Sequence, residues 1–457
     1  MSFPRYSSYR HSGIDWLGEL PEHWSSIRLK CICDAYPSNV DKKSREGEAA
    51  ISLCNYTDVY YNETITDDIQ FMQATASTDQ IQKFTLRAGD TIITKDSESA
   101  DDIAIAAYVA ESLPDVVCGY HLSMLRPKEG TSGAYIKRLF DSVYVKSCFA
   151  VRANGLTRVG IGQYALDNVE LPLPPLSEQQ QIATFLDRET AKIDELIAEQ
   201  QRLIELLKEK RQAVISHAVT KGLNPDAPMK PSDIEWLGDV PCHWRVSRLK
   251  HVFDEPVKNG VSPQAPDAGS EGVSTFSIAA VRNGVVDIKS HLKLAAITKD
   301  AAEPYWVRPG DVMMMRGNGS QDLVGSVGII ECVPEGGCVY PDILIRLRFS
   351  DLMSPEFAVL FLNCPVSRPQ IEMGAKTAAG IWKVAGGTVA EFAIPIPPFS
   401  EQITILKTLN VELSEIDDLR AEAYRFVELL QERRTALISA AVTGQIDVRG
   451  LTDLEAA

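Results

Sequence analysis

Two pairs of charged side chains share one spacing and form the most chemistry-like pattern in the chain. Asp90 precedes Lys95, and Asp311 precedes Arg316, by five residues, and each carboxylate follows an Arg-x-Gly tripeptide. A carboxylate near a lysine is similar to part of a nuclease active site, but the second copy has arginine instead. A turn that leads into a strand explains both copies, because glycine adopts the backbone angles that tight turns require. The pattern therefore predicts structural turns rather than hydrolytic sites.

Other catalytic motifs are missing from the sequence. It contains no Walker-type phosphate loop, no His-Glu-x-x-His and no Gly-x-Ser-x-Gly. Gly317-Asn318-Gly319 lacks the third glycine of a dinucleotide motif and is expected to be a loop. His23 and His243 each stand between a proline and a tryptophan, where we expect structural roles. The nine cysteines show no pairs at zinc-finger spacing. We therefore predict a non-catalytic chain without a metal or a cofactor of its own.

The chain contains an internal duplication. Residues 13–30 recur as 233–250 at a constant offset of 220, with two tryptophans, a proline and a histidine at matching positions. Residues 171–220 recur as 394–443 at an offset of 223. The sequences between these blocks diverge. The spacing predicts a variable region followed by a constant helix, and then the same pair again.

Each second block begins with prolines that lead into a long helix. Leu-Pro-Leu-Pro-Pro at 171–175 cannot be helical, and we expect Ser177 to be the N-cap, with Ser400 in the same role in the copy. A heptad seam is expected at Leu186, Ile193, Gln200, Leu207 and Val214, with companions at Ile182, Leu196 and Leu203. In the second helix the seam is expected at Leu409, Ile416, Ala423, Leu430 and Leu437, with companions at Ile405, Leu419 and Phe426.

Such seams are typical of paired helices, so we expect an antiparallel coiled coil; the alternative is that each helix packs on its own domain. The predicted fold class is mixed α+β with a pseudo-twofold repeat, in which two globular α/β domains alternate with the two helices. The predicted boundaries are 1–170 for the first domain (variable core 31–170), 171–223 for the first helix, 224–393 for the second domain (variable core 251–393), 394–446 for the second helix and 447–457 for a tail.

The composition is that of an ordinary globular protein, with 45% hydrophobic and 24% charged residues. The chain has no run of 18 apolar residues and no apolar leader, which predicts a cytoplasmic protein without a membrane span. The net charge of −16 argues against a phosphate-tracking protein, because these usually carry a basic stripe. Net charge does not exclude one, since a positive groove can lie on an acidic molecule.

The repeated blocks resemble a known family. Trp16-Leu17-Gly18-x-x-Pro21-x-x-Trp24 and its copy, the proline-rich segment before Ser177-Glu178-Gln179, and the ending at 441–449 are similar to the specificity (S) subunit of type I restriction–modification enzymes. The similarity extends over essentially the whole chain. It implies two target recognition domains, each reading one half of a bipartite, asymmetric double-stranded DNA sequence. It also implies that the paired helices set the spacing of the halves and dock two methyltransferase (M) subunits.

The same resemblance implies that the chemistry of this restriction system lies in partner subunits. DNA methylation with S-adenosylmethionine, and cleavage driven by ATP with Mg, would belong to the M subunits and to restriction (R) subunits. Two alternatives remain open. One is the recognition subunit of a type IIB-like system with a fused nuclease–methylase partner. The other is a coiled-coil adaptor with two protein-binding domains and no nucleic acid, which the acidic charge favours.

Reading bases requires Arg or Lys for guanine and Asn or Gln for adenine, presented on loops or helix ends. Each variable region offers such side chains at three places that follow apparent strands. In the first region the expected DNA-binding residues are Lys95, Ser97, Tyr120, His121, Asn154, Thr157 and Arg158. In the second region they are Arg316, Asn318, Gln321, Tyr340, Lys376, Trp382 and Lys383. We expect Trp16, Trp24, Trp236 and Trp244 to be packing anchors or contacts with the M subunits.

Overall fold

The structure, a computed structural model, describes residues 3–262, 272–378 and 380–451. Its contacts divide the chain into two compact units. Unit 1 contains the chain up to Gln201 together with the chain from Tyr424 onward, and unit 2 contains Arg202–Ala423. Each unit combines one variable region with a segment of each long helix. The last part of the predicted tail, 452–457, lies outside the described residues.

Unit 1 begins with short strands and helices and leads into the first long helix. The strands are β1 (Tyr9–His11), β2 (Glu19–Pro21), β3 (Ser25–Arg28), β4 (Cys33–Pro37), β5 (Ala49–Cys54), β6 (Thr64–Ile65), β7 (Met72–Ala76), β8 (Thr85–Leu86), β9 (Thr91–Thr94), β10 (Asp96–Ser97), β11 (Ala106–Val109), β12 (Leu113–Cys118), β13 (Leu122–Pro127), β14 (Val159–Gly160) and β15 (Glu170–Leu173). The helices are α1 (Leu29–Ile32), α2 (Tyr56–Tyr60), α3 (Thr78–Phe84), α4 (Gly133–Asp141), α5 (Val143–Ala150), α6 (Gln163–Asp167) and α7 (Leu176–Lys221).

Unit 2 repeats this order with different lengths. Its strands are β16 (Met229–Pro231), β17 (Asp239–Pro241), β18 (Arg245–Arg248), β19 (Phe253–Asn259), β20 (Val273–Phe276), β21 (Val281–Arg282), β22 (Gly284–Val286), β23 (Leu292–Ala295), β24 (Val312–Met315), β25 (Gly317–Asn318), β26 (Val327–Ile329), β27 (Leu344–Phe349), β28 (Lys376–Ala378), β29 (Ile381–Lys383) and β30 (Ala393–Ile396). Its helices are α8 (Lys299–Ala302), α9 (Pro355–Asn363), α10 (Arg368–Gly374), α11 (Gly386–Ala390) and α12 (Phe399–Val442).

Corresponding sheets form the cores of the two variable regions. In unit 1 the orders are β4–β13–β9–β11–β6 and β7–β5–β12–β8, and in unit 2 the main sheet is β19–β27–β24–β26–β22–β21. β9 and β24 are central strands and are buried along their whole length. Pairing on both sides satisfies their backbone groups. The mixed α+β fold and the two sheet-rich domains are therefore confirmed.

The repeated Arg-x-Gly-Asp segments are turns, as the sequence predicted. Gly89 and Gly310 have φ angles of 92° and 88°, which glycine adopts at little cost. The carboxylate of Asp90 is buried and lies 2.7 Å from the Arg126 guanidinium. Asp311 is paired with Arg348 in the same way at 2.6 Å. Both carboxylates thus fix the start of a central strand.

The two long helices pack together in antiparallel directions. In unit 1 Asp194 of α7 lies 2.8 Å from Arg434 of α12, and in unit 2 Arg211 of α7 lies 3.4 Å from Asp417 of α12. The predicted seam is confirmed: its positions are buried, apart from the half-buried Gln200 and Val214.

The predicted companion row is buried at Ile182 and Ile405, but its other four positions were wrongly placed. Leu196, Leu203, Leu419 and Phe426 are 40–53% exposed. The second buried row lies four residues after the seam rather than three, at positions such as Thr190, Ile204 and Leu413. Both offsets lie on one helix face, and leucines occupy both rows in this chain, so leucine spacing alone does not choose between them.

Each long helix starts two residues earlier than predicted, at Leu176 and at Phe399. The carbonyl of Pro175 accepts hydrogen bonds from the amides of Glu178 and Gln179, and Pro398 does the same in α12. The prediction that Ser177 and Ser400 are N-caps is therefore wrong. The glutamate and glutamine that follow turn inward rather than to solvent.

The buried Gln179 and Gln402 attach each long helix to its variable domain. Gln179 accepts from the amide of Ser132 at 2.8 Å and donates to the carbonyls of Gly130 and Pro174. Gln402 makes the same three kinds of bond, to Ser354, Leu352 and Pro397. Both amides are fully buried and fully bonded, which fixes the start of one domain helix, α4 in unit 1 and α9 in unit 2, against the start of the long helix.

In unit 1 the end of α12 closes onto the start of the chain. The amide of Asp447 donates to the carbonyl of Pro4 at 2.8 Å, and the Tyr9 hydroxyl donates to the carbonyl of Gly444 at 3.0 Å. In unit 2 the equivalent step is covalent, because the chain runs directly from α7 into β16. Noncovalent contacts in one repeat thus replace a peptide connection in the other.

An ion-pair network joins the first variable domain to both long helices within unit 1. The carboxylate of Glu63 lies 2.8 Å from Lys137 and 3.0 Å from Arg138, and also pairs with Arg434. Arg138 in turn lies 2.6 Å from Asp187 of α7. Burial raises the pKa of Glu63, but the charges of Lys137 and Arg138 outweigh it and lower the pKa from 4.5 to about 2.

Replacing Glu63 should destabilise unit 1 in a pH-dependent way. Because the pKa is lower in the folded protein, the carboxylate stabilises the fold above about pH 4.5 and loses this effect as the pH falls toward 2. With its side chain 46% exposed, Glu63→Gln should cost only about 1–2 kcal/mol near neutral pH. Urea denaturation at a series of pH values measures the difference. Glu129→Gln, a change at an exposed carboxylate, is the control; a loss in Glu63→Gln that stays constant at acidic pH would contradict the network's role.

Candidate nucleic-acid interface

Three distant segments of unit 1 meet at one end of its main sheet. β10 follows β9 directly and pairs with β14, so that Asp96 lies opposite Gly160 and Ser97 opposite Val159. The amide of Lys95 donates to the carbonyl of His121, and the amide of Ile161 donates to the carbonyl of Lys95. The three loops that the sequence proposed therefore come together. We call Tyr56, Lys95, Asp96, Tyr120, His121 and Arg158 the unit 1 cluster.

Lys95 is held in place rather than free in solvent. Its ammonium donates to the carbonyl of Ser38 at 2.9 Å and lies 4.4 Å from the centre of the Tyr120 ring. Burial lowers the pKa of Lys95 from its ordinary value. Tyr120 remains 52% exposed, so the pair presents a cation backed by an aromatic face, a combination suited to nucleic acid.

Asp96 positions two other polar groups of the cluster. Its carboxylate lies 2.8 Å from the Nδ1 atom of His121 and 2.8 Å from the guanidinium of Arg158. Arg158 also lies over the ring of Tyr56 at 5.9 Å. One carboxylate thus aligns an imidazole and a guanidinium from separate loops.

In unit 1 the structure adds one residue to the candidate interface and removes another. Tyr56, absent from the sequence-based set, belongs to the cluster; its stacking with Tyr60 at i,i+4 on α2 was the available sign. Ser97 is buried and its hydroxyl accepts from the amide of Ser99, so it supports the surface rather than forming it. Asn154 and Thr157 lie on the exposed loop before β14, where the Asn154 amide donates to the carbonyl of Arg152.

The same convergence occurs in unit 2. β25 follows β24 and pairs with β29, so that Gly317 lies opposite Lys383 and Asn318 opposite Trp382. β28 completes this small sheet and places Lys376 opposite Lys383. Lys376 and Lys383 are exposed, whereas Trp382 is half-buried against the core. We call Arg316, Lys376, Trp382 and Lys383 the unit 2 cluster.

Arg316 takes the place in unit 2 that Lys95 takes in unit 1. Its amide donates to the carbonyl of Ile343, as that of Lys95 donates to His121. One terminal nitrogen lies 3.3 Å from the carbonyl of Asp342, while the buried Nε atom has no partner among the described residues. The terminal nitrogens carry further N–H groups beyond this one bond, so the guanidinium keeps donors for an external acceptor.

Tyr340 does not belong at this surface. It is fully buried in the core, and its hydroxyl donates to the carbonyl of Lys258 at 3.1 Å. Its proposed DNA contact is therefore wrong for this conformation. Asn318 uses its side chain locally, accepting from the amide of Ser320 at 2.9 Å. Gln321 begins a short turn beside the cluster and is half-buried.

The tryptophans of the repeated block divide into anchors and surface groups. Trp24 and Trp244 are buried beside the long-helix starts, and Trp244 donates to Glu401 at 3.1 Å. Trp16 is 59% exposed, and Trp236 packs on Phe361.

Neither a metal cluster nor a membrane helix is found among the described residues. No group of three or more His, Cys, Asp or Glu side chains could hold a metal ion there. Within the same ranges, every helix is too short or too polar to cross a bilayer.

Comparison with known proteins decides the family. The model of the type I restriction modification DNA specificity domain matches residues 21–206. The specificity subunit of the type I restriction enzyme EcoKI from Escherichia coli strain K12 is 23% identical over 436 residues, which cover 94% of this chain and 90% of that subunit. The chain belongs to the type I restriction–modification specificity-subunit family.

Solved structures share the fold of this specificity subunit. A chain from a type I restriction–modification system, solved in a study of complex assembly and conformational transition, has a TM-score of 0.69 at 17% identity, covering 93% of this chain and 98% of its own. The HsdS subunit from Thermoanaerobacter tengcongensis has a TM-score of 0.54 at 18% identity with the same coverage. By its family, the protein is a DNA specificity subunit of a type I system, a class of subunit that is not itself catalytic.

Family membership excludes the alternative of an adaptor that binds no nucleic acid. The contacts of Asp96 with His121 and Arg158 then lead to a testable prediction for DNA binding. Asp96→Asn should lower the preference for target over random DNA by about tenfold, because a neutral amide no longer fixes Arg158 and His121. Affinity for random duplex should hold or rise, since a negative charge is removed.

Fluorescence anisotropy with target and random duplexes measures both affinities. Asp67→Asn, a change at an exposed carboxylate of the same domain outside the unit 1 cluster, is the matched control. Equal losses on both duplexes would indicate misfolding instead of lost alignment.

Proposed function

We propose that this specificity subunit reads a bipartite, asymmetric double-stranded DNA target, with the unit 1 cluster on one half and the unit 2 cluster on the other. The observation that carries the proposal is the convergence of three loops onto one sheet end in both units. The scaffolds of the two repeats match, but the side chains at that end do not: Lys95 in one is Arg316 in the other. Different side chains at equivalent places call for different half-sites.

The two clusters supply complementary kinds of contact. The guanidinium of Arg316 can fork onto the O6 and N7 atoms of a guanine, and Arg158 can do so in unit 1. Lys376 and Lys383 stand out from a small sheet and suit phosphates. Asn154, Thr157, Asn318 and Gln321 remain candidates for adenine or backbone contacts beside the clusters.

We infer that the two predicted domains, 1–170 and 224–393, are the target recognition domains, and that the helical segments 171–223 and 394–446 set their spacing. Leu196 and Leu419 are exposed on these helices, as is Trp16 in the repeated block. These apolar groups support docking of two methyltransferase subunits on the repeated surfaces. S-adenosylmethionine, ATP and Mg would be used by the methyltransferase and restriction subunits.

Arg316→Ala should cost about 1–3 kcal/mol in binding and relax the choice of base at one target position. The reason is that alanine removes both donors of the guanine fork. Selection from a duplex library with randomised positions, using the assembled complex, measures the preference at every position. Arg308→Ala removes an exposed arginine of the same domain that pairs loosely with Glu255 at 3.9 Å, and serves as control. An unchanged base preference in Arg316→Ala would remove this residue from the interface.

Lengthening both helices together should lengthen the unread gap of the target. Seven residues inserted after Gln201 and seven after Ala423 add about 10 Å of helix and rotate its face by only about 20°. The gap should grow by about three base pairs, at 3.4 Å each. Sequencing of methylated sites, or binding to a set of duplexes with different gaps, measures it. The same insertion in α7 alone should break the pairing and abolish binding; an unchanged gap in the double insertion would refute the spacing role.

A further inference from the structure

Unit 2 contains a positively charged cavity between its segments of the long helices and its variable domain. Its volume is about 890 Å³. The charged side chains on its wall are Lys208, Arg211, Arg282, Arg420 and Asp417. Four cations thus face one carboxylate in a concave site, and no residue of the unit 2 cluster is on its wall.

The internal repeat shows what occupies the same place in unit 1. β6 of unit 1 and β22 of unit 2 are equivalent strands, and each pairs in parallel with a neighbouring strand. In β6 Thr64 lies opposite Tyr108 of β11, and in β22 Val285 lies opposite Ile329 of β26. This register makes Gly284 the counterpart of Glu63 and Arg282 the counterpart of Tyr61. On the helices, Arg211 and Asp417 correspond to Arg434 and Asp194, and both ion pairs are present.

The first variable domain provides its own anion at this place, and the second does not. In unit 1 the Glu63 carboxylate bridges Lys137, Arg138 and Arg434. In unit 2 the counterpart of Glu63 has no side chain. The domain helix also changes, because Lys137 and Arg138 correspond to Val359 and Leu360 on α9.

The cations of unit 2 are therefore short of partners. Arg282 is exposed and has neither an ion pair nor a side-chain hydrogen bond within the described ranges. The buried Nε atom of Arg420 has no partner there either. Asp417, the one carboxylate on the described cavity wall, is shared by Arg211 at 3.4 Å and Arg420 at 3.0 Å. Unpaired guanidinium donors around a cavity favour an anionic ligand.

We propose that this cavity binds a small multivalent oxyanion of the phosphate class, in the place that the Glu63 carboxylate fills in the other repeat. Lys208 pairs with Glu205 at 3.5 Å, which leaves three guanidinium groups against Asp417. A dianion balances this excess of two positive charges better than a single carboxylate does, and guanidinium forks fit tetrahedral oxyanions. The ligand is either free phosphate or the phosphate chain of a free nucleotide, since both present the same oxygens. No residue of the DNA-reading clusters lines this cavity, so the proposal does not depend on the DNA contacts proposed above.

Calorimetric titration of the full chain with sodium phosphate, in chloride buffer and without DNA, tests the site. We expect one phosphate per chain, bound at least about tenfold more weakly by Arg282→Gln and by Arg420→Gln. Lys293→Gln, which neutralises an exposed cation of the same domain outside the cavity, should bind as the wild type does. A parallel titration with adenosine triphosphate separates the sources: tighter binding than phosphate assigns a nucleotide, and equal or weaker binding assigns the free anion. No saturable phosphate binding, or equal weakening by Arg282→Gln and Lys293→Gln, would overturn the proposal.

A second variant restores the anion within the chain. Arg282→Glu places a carboxylate at the cavity and should raise the melting temperature above that of Arg282→Gln in phosphate-free buffer. It should also lose the increase in melting temperature that phosphate gives the wild type. An Arg282→Glu protein that phosphate still stabilises as strongly as the wild type would contradict a site at this place.

Discussion

The attachment of each long helix to its variable domain depends on one buried side-chain amide, that of Gln179 in unit 1 and that of Gln402 in unit 2. Each amide lies at the start of a long helix and makes three hydrogen bonds to backbone groups on two sides of that helix. Leaving one such buried group unsatisfied costs about 1–3 kcal/mol. The start of the long helix and the start of the domain helix, α4 or α9, are therefore ordered together. All six bonds reach backbone atoms. The attachment therefore does not depend on which side chains the variable domain carries, and its loops are free to differ.

The two repeats meet the same requirements with different atoms. Glu178 accepts from the Tyr6 hydroxyl and contacts His23, which leaves the buried Nε1 of Trp24 without a partner in the described chain. Glu401 lacks such a tyrosine and accepts from Trp244 instead. Burial, and then the bond to Glu178, raise the pKa of Tyr6, so its hydroxyl remains a donor. The tyrosine belongs to the segment that meets the end of α12, where unit 2 has a covalent connection.

Much of this architecture could be predicted from the spacing of the repeated blocks and from the long stretches without proline. The repeat predicts the order of the domains, and the absence of proline allows a continuous helix. The three converging loops were also predictable, since they follow recognisable strands. Contacts that depend on side-chain direction were not. Leu196 and Ile197 are adjacent and both apolar, and only the packed helix shows that the second faces inward. Tyr340 looked like a surface tyrosine after a strand, but its hydroxyl finds a buried carbonyl, which removes the cost of burial.

The acidic composition of the recognition domains does not argue against DNA binding, because several of the carboxylates are paired with cations. Residues 31–170 contain 20 acidic and 13 basic residues, an excess that opposes DNA binding if all the charges act alike. Asp90 and Asp311, however, are buried against arginines at strand starts, and Asp96 aligns two groups of the unit 1 cluster. A neutralised or buried pair contributes little field outside the protein, whereas Lys376, Lys383 and the free donors of Arg316 remain close to a binding surface. What DNA meets is the local arrangement of unpaired cations, and in this fold acidic residues help to create that arrangement by fixing the cations that reach the surface.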